Sequence, residues 1–341
     1  MQPPPGPYLI LGGTGSLGRV LVQRLLPHGA VTVFSRDEEK HRVLRRTLPA
    51  VRSIIGDVRD YRAVLHALHD TSPRIVINAA AMKQIDLCEE HPYQALQTNV
   101  MGAHNVVQAA REHARGRREP LTVLSVSTDK AVKPVSAYGM SKALQERVHL
   151  EANHPPYLVH TCVRYGNVLD STGSVIPVFK EKITRGEPVS ITDPGMTRFL
   201  LSLNEAVDVI VAALADTEGG TTFVPKVRSA TVGALADALI GRKRIKKIII
   251  GARPGEKIHE VLISEEELPR TEDCGAHFVV HAIRSGKRFA HVTEEYSSQH
   301  VLMLPQEVAQ FLTLREVIDM PKSRPHGKVT RRHTQSKRVT R

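Results

Sequence analysis

A short apolar run, Tyr8 to Leu11, passes directly into Gly12-Gly13-Thr14-Gly15-Ser16-Leu17-Gly18, and a helix-like segment from Arg19 to Leu26 follows. Glycines at a strand-to-helix turn let the backbone approach a pyrophosphate, whose charge the helix N-terminus stabilises. The spacing is GxxGxxG and not the commoner GxGxxG, so a plain glycine-rich turn also fits the motif taken alone. The context decides between them.

That context is a regular alternation of β-branched runs and helix-like stretches through the first 165 residues. The strands are expected at Tyr8 to Leu11, Ala30 to Phe34, Ser53 to Ile55, Arg74 to Asn78, Leu121 to Ser125 and Leu158 to Val163. Between them, Tyr61 to His69 and Gln94 to Glu112 carry apolar residues at helical spacing. The pattern predicts an α/β fold, a Rossmann-type doubly wound parallel sheet covered on both faces. After Tyr165 glycines and prolines interrupt it, which predicts a smaller C-terminal substrate lobe interleaved with the first domain. The expected division is 1–165 for cofactor binding and 166–320 for the substrate lobe. Residues 200–217 return to the first domain, and 321–341 form a basic, disordered tail.

Composition bears on what else the chain can be. Its 41% apolar and 24% charged residues are those of an ordinary globular protein. No apolar run reaches the roughly 18 residues of a membrane span, and Met1 to Gly13 has no basic n-region, so a cytoplasmic protein is expected. Cys88, Cys162 and Cys274 are far apart and show no metal-ligand spacing, so no metal site is expected. The net charge of +12 is mostly local: Lys322 to Arg341 holds eight Lys or Arg and no acid, leaving +4 for the other 321 residues. That tail reads as a solvated extension or as a contact for an acidic partner. The body lacks a basic stripe with interleaved aromatics, so nucleic acid is not an expected partner.

The second strand ends in Ser35-Arg36, where an acidic residue would ordinarily take the ribose hydroxyls of NAD. A hydroxyl and a guanidinium suit a 2′-phosphate, with Lys40 one turn on, so NADP is expected over NAD. The alternative is a solvated Arg36 with Asp37 as helix N-cap. Asp57-Val58 after the third strand and Ala79-Ala80-Ala81 after the fourth fall at strand ends on the switch-point edge.

Ser127-Thr128-Asp129-Lys130 follows the fifth strand, and Tyr138-Gly139-Met140-Ser141-Lys142 comes next. Tyr138 and Lys142 share a helix face, so the ammonium is expected to lower the phenol's pKa from about 10. With the strand-end hydroxyl of Thr128 they specify hydride transfer at a carbinol. Asp129 and Lys130 add a carboxyl and an amine, the acid and base that loss of water requires. An ordinary loop ion pair is the other reading of these two.

Together these stretches make the chain resemble the extended short-chain dehydrogenase/reductases, specifically the inverting UDP-N-acetylglucosamine 4,6-dehydratases of polysaccharide biosynthesis. The matching runs are GGTGSLG, SRDEEK, AAAMKQID, STDKAVKP with YGMSK, VRYGNVLDSTGSVIPVF, ITDPGMTRF, RPGEKIHE and EYSS. The resemblance implies a UDP-sugar substrate and a redox-neutral reaction. Tyr138 takes the 4-hydroxyl proton while hydride passes from carbon 4 to NADP. Lys130 then removes the hydrogen on carbon 5, Asp129 protonates the departing 6-hydroxyl, and hydride returns to carbon 6. A homo-oligomer is expected.

A UDP-sugar calls for cations and amide donors in the second half, and Arg164, Asn167, Arg198 and Arg253 are the candidates. By resemblance, Asn167, Arg198, Arg253 and Glu256 contact the nucleotide sugar, while Ser174, Val175 and the residues to Phe179 line its pocket. Lys83 either lines the channel or is a solvated loop lysine. His259 and Glu260 read as capping or packing residues in preference to an acid–base or metal pair.

Overall fold

The computed structural model describes residues 1–169 and 174–315. The expected basic tail at 321–341 therefore lies outside the described residues.

Six parallel strands, β1 (Tyr8–Leu11), β2 (Val31–Ser35), β3 (Arg52–Ile55), β4 (Ile75–Asn78), β5 (Leu121–Val126) and β6 (Leu158–Val163), run in the order 3-2-1-4-5-6. This is the doubly wound Rossmann order, with the crevice at the C-terminal ends of β1 and β4. The strand Thr221–Pro225 extends the sheet parallel to β6, and His277–His281 and Thr271–Asp273 close it antiparallel, giving nine strands. Five strand limits, in four of the strands, depart by one residue from the sequence expectation. Arg52 begins β3 although it is exposed, because an edge strand can take a charged residue that no hydrophobic pattern marks.

Both faces of the sheet are covered. On one, Leu21, Val22 and Leu25 of the helix Ser16–Leu25 pack with Val207, Ile210 and Leu214 of the helix Leu203–Leu214. A capping box of Ser202 and Glu205 starts that second helix. On the other face Val64, Ala67 and Leu68 meet Val106, Ala109 and Ala110. Each large side chain so buried contributes about 1.5–3 kcal/mol, which holds the layers together. Beyond Tyr165, separate clusters around Ile176, Leu235 and Val308, and around Phe179, Val189 and Met196, give the second half its own small cores.

The single helix expected over Gln94 to Glu112 is instead a short helix Pro92–Ala95, a wide π-helical turn Leu96–Met101 and the helix Gly102–Ala114. Within the wide turn Asn99 is buried, accepting from the Met82 amide at 2.8 Å and donating to the Met82 carbonyl and to Ser141 Oγ, both at 2.9 Å. The turn thereby ties the loop carrying Lys83 to the helix Ala137–Glu151. No helix among the described residues is long and apolar enough to cross a membrane.

Candidate active site

A cleft of about 1410 Å³ opens at the C-terminal edge of the parallel strands, with walls from both halves of the chain. Gly12, Thr14, Gly15, Ser16, Leu17, Gly18, Ser35, Arg36, Lys40, Asp57, Val58, Ala79, Ala80 and Ala81 line one end of it. Gly12 has φ +79°, and a Cβ there would come within 2.7 Å of the Ala80 nitrogen. Only glycine lets β1 turn this close to the end of β4. The helix that follows starts with Gly15 at its cap position and no capping side chain, so its first turn presents backbone N–H groups of the kind that hold a pyrophosphate.

Around the second strand end, Thr14 Oγ1 and Ser35 Oγ lie 2.9 Å apart, and Ser35 Oγ lies 2.9 Å from His41 Nε2. Arg36 is more than half exposed and pairs with Asp57 at 3.7 Å. Lys40 pairs with Asp37 at 2.8 Å, and Asp37 also caps the helix Glu38–Thr47 by accepting from the Lys40 amide. Asp37 thus caps its helix, as the alternative reading expected, beside an exposed Arg36 guanidinium paired with Asp57. Burial would raise Asp57, but hydrogen bonds from Arg59 and the charge of Arg36 hold its carboxyl below the usual range.

At the centre of the cleft stand Thr128, Lys130, Tyr138 and Lys142. Gly139 makes this packing possible, since a Cβ there would lie 2.3 Å from the Lys130 carbonyl oxygen. Burial pushes the Tyr138 phenol up to about 12 against the pull of the Lys130 charge and a hydrogen bond with Thr128. The phenol thus stands above its ordinary value of 10, where the expectation had Lys142 lowering it, and the charge that pulls it back is that of Lys130. Lys142 Nζ instead donates to the Val126 carbonyl and to Gln145 Oε1, both at 2.6 Å, and burial lowers it to about 8.

Asp129 is fully buried and does not line the cleft. Its Oδ1 accepts from Thr128 Oγ1 and from Lys130 Nζ, each at 3.0 Å, and these two side chains connect it to the cleft. Burial raises its pKa; the Lys130 charge opposes and the Glu260 charge adds to the rise. Lys130 lies 3.0 Å from Asp129 and 3.1 Å from Glu260, and the two carboxyls overcome its desolvation and raise its pKa. The loop-ion-pair reading of Asp129 and Lys130 is right about the contact, but the pair is buried and sits at the cleft, not on the surface.

Of the second-half candidates, Asn167, Ser174, Val175, Arg198, Arg253 and Glu256 all line the cleft. Asn167 Oδ1 and Ser174 Oγ are buried with no hydrogen-bond partner among the described residues. Arg198 is buried and donates to the carbonyls of Thr197 and Ile258. Lys83 also lines the cleft while remaining exposed, and the part of it that is covered lowers its pKa, so the channel and solvated readings meet in one residue. Arg164 is different. Its guanidinium is buried between Glu146 and Glu267, with bonds of 2.7 to 3.0 Å to both carboxylates, and is not available to a phosphate.

Glu260, read from the sequence as a capping or packing residue, is buried as packing requires, its side chain 2% exposed, but it also lines the cleft and pairs with Lys130 and Lys257. Burial would raise it, yet Lys130, Arg198 and Lys257 hold it at about 2. The signal available was its place at the end of RPGEKIHE, a run that also supplies Arg253, Glu256 and Lys257.

Residues 8–282 match the family described as polysaccharide biosynthesis protein. A protein named UDP-glucose 4-epimerase from Rickettsia bellii is 37% identical over 330 residues, covering 90% of this chain and 94% of that one. The X-ray structure of Pen from Bacillus thuringiensis is similar with a TM-score of 0.86 and 29% identity, over 94% of this chain and 100% of that chain. DesIV, a dTDP-glucose 4,6-dehydratase from Streptomyces venezuelae solved with NAD and TYD bound, aligns with a TM-score of 0.66 at 20% identity, over 74% of this chain and 86% of that one. At that identity the likeness is one of fold.

Proposed function

The chain belongs to the polysaccharide biosynthesis protein family, and from that premise we propose that it is a UDP-N-acetylglucosamine 4,6-dehydratase that inverts carbon 5. The observation that carries this reading is the buried Asp129–Lys130 pair beside Thr128 and Tyr138. An enzyme that only oxidises and reduces carbon 4 has no use for a second acid and base.

NADP is the cofactor proposed, held by the glycine turn, the uncapped helix start, Ala79 to Ala81 and Lys142, with Ser35, Arg36 and Lys40 toward a 2′-phosphate. When bound it supplies a reversible store for the hydrogen of carbon 4. The 1–165 unit would carry it and the 166–320 lobe the sugar nucleotide, with 200–217 returned to the first unit.

Tyr138 removes the 4-hydroxyl proton, which the nearby Lys130 charge and the Thr128 hydrogen bond make easier. The resulting ketone acidifies carbon 5. Asp129, whose pKa burial raises, is suited to hold a proton and release it to the departing 6-hydroxyl by way of Thr128 or Lys130. Lys130 is the base for carbon 5, and it must first lose the proton that its two carboxylate neighbours keep on it. Arg198 and Arg253 suit the phosphates, while Lys83, Asn167, Ser174, Val175 and Glu256 suit the sugar and base.

A second reading, UDP-sugar 4-epimerase, is favoured by the name of the Rickettsia bellii relative. Proton NMR of the product from UDP-N-acetylglucosamine and NADP separates the two. A new methyl signal marks loss of the 6-hydroxyl, whereas a substrate epimerised at carbon 4 alone keeps its hydroxymethyl and rules the dehydratase out.

A further inference from the structure

Glu260 reaches the catalytic turn from the far half of the chain. Its backbone is clamped by one residue: the Glu260 amide donates to Ser298 Oγ at 2.9 Å, and the Ser298 amide donates to the Glu260 carbonyl at 2.8 Å. Ser298 is itself fixed by Thr197, whose hydroxyl lies 2.6 Å from its own. The side chain then spans two lysines, Oε1 at 3.1 Å from Lys130 Nζ and Oε2 at 3.2 Å from Lys257 Nζ. Lys257 donates in turn to the Val132 carbonyl at 2.8 Å, so both lysines tie Glu260 to the turn after β5. The ionisable groups around the carboxylate are Asp129 and Lys130 on that turn, Lys257 on its own segment and Arg198 on the strand Thr197–Leu201.

A carboxylate this deep is costly unless paired, and packing alone would be served by an apolar residue. Its Oε2 makes no hydrogen bond among the described residues and is held by the Lys257 ion pair alone.

We propose that Glu260 is the positioning residue of Lys130, holding the amine against Asp129 so that Lys130 can pass its proton to that carboxylate and act on carbon 5. This rests on the dehydratase reading. A proton moves from Lys130 Nζ to Asp129 Oδ1, 3.0 Å away, and leaves a lone pair on nitrogen. That pair takes the hydrogen of carbon 5, whose bonding electrons form the carbon 5–carbon 6 double bond as the carbon 6–oxygen bond breaks. The oxygen departs as water with the proton of Asp129. The two side chains have then gained one proton and lost one, and stand again as the ion pair that Glu260 holds.

The test is Glu260→Gln in the full chain with NADP and UDP-N-acetylglucosamine, following product by NMR and bound reduced nicotinamide by absorbance in single turnover. Elimination should slow by about 10²-fold, well beyond any change in the oxidation at carbon 4, with KM little changed, so that bound reduced nicotinamide accumulates. The variant's elimination should rise toward alkaline pH, because Lys130 then loses its proton to solvent. Glu260→Asp should recover part of the rate. Near-parental elimination with an unchanged pH profile would leave Glu260 a structural residue and overturn the proposal. A parent enzyme that forms no deoxy product would instead overturn the dehydratase reading, and the proposal with it. If Glu260→Gln does not fold by circular dichroism, Lys130→Ala/Glu260→Gln, which removes both charges of the pair, is compared with Lys130→Ala. Equal rates support action through Lys130, and a further loss in the double variant refutes it.

Discussion

Arg36 stands 3.7 Å from Asp57 at the rim of the cofactor end, while Arg59 holds the same carboxylate at 2.6 Å. Asp57 thus keeps a partner if Arg36 turns away toward a ligand. Arg36 is more than half exposed, so its link to Asp57 is worth little and yields readily to a phosphate. Arg36→Asp should weaken NADP binding by at least about tenfold while leaving NAD binding nearly as it was. Titration calorimetry with both dinucleotides checks this, and equal losses would remove the 2′-phosphate assignment.

The Arg164 guanidinium predicts stability instead of activity. It joins Glu146 on the catalytic helix to Glu267 of the second half, all three being buried. Glu267→Gln leaves part of that charge uncompensated and should cost about 3–5 kcal/mol, read as a fall in Tm. Burial would raise Glu267, but Arg164 and Arg270 hold it at about 2 against an ordinary 4.5. A depressed carboxyl stabilises the fold above its unfolded pKa and loses that contribution as pH falls toward its folded one. The Tm gap between parent and variant should therefore be widest near neutrality and shrink as pH drops from 4.5 to about 2. A gap independent of pH would mean that the loss comes from packing.

How far the sequence could be read follows from what each residue depends on. The strand-end positions of the parallel sheet are local, and so the glycine turn, Ser35, Arg36, Asp57 and Ala79 to Ala81 all fall on the cleft. Thr128, Lys130, Tyr138 and Lys142 do so for the same reason. Arg164 and Glu260 depend on partners about 100 and 130 positions away in sequence, Glu267 and Lys130, and no periodicity encodes those meetings. The arginine therefore passed for a phosphate ligand and the glutamate for a capping or packing residue. Likewise, YxxxK spacing places Lys142 on the face of Tyr138, but it does not reveal that the Val126 carbonyl and Gln145 occupy the ammonium while Lys130 approaches from the turn.

Turnover should need only catalytic amounts of NADP, because the hydrogen taken from carbon 4 returns to carbon 6. Substoichiometric cofactor should support many turnovers with no net rise in reduced-nicotinamide absorbance. Stoichiometric accumulation would identify a simple dehydrogenase.

Tyr138 and the Asp129–Lys130 pair are assigned to different steps, and their variants should fail at different points. Tyr138→Phe removes the base for the 4-hydroxyl and should prevent the first oxidation, so no bound reduced cofactor forms in single turnover. Asp129→Asn and Lys130→Ala should leave that oxidation possible and slow elimination by about 10²–10⁴-fold, so reduced cofactor accumulates. One complication is that Lys130 also holds down the phenol's pKa. Lys130→Ala should therefore shift the pH dependence of the first oxidation upward, an effect Asp129→Asn does not share, because removing the Asp129 charge acts on Tyr138 in the opposite sense. Matching circular dichroism and NADP affinity must first establish that all three variants fold. If Asp129→Asn and Lys130→Ala dehydrate the sugar at near-parental rates, the pair is an internal ion pair only. The elimination would then belong to another cleft group, of which Lys83, with its pKa lowered by burial, is the first to replace.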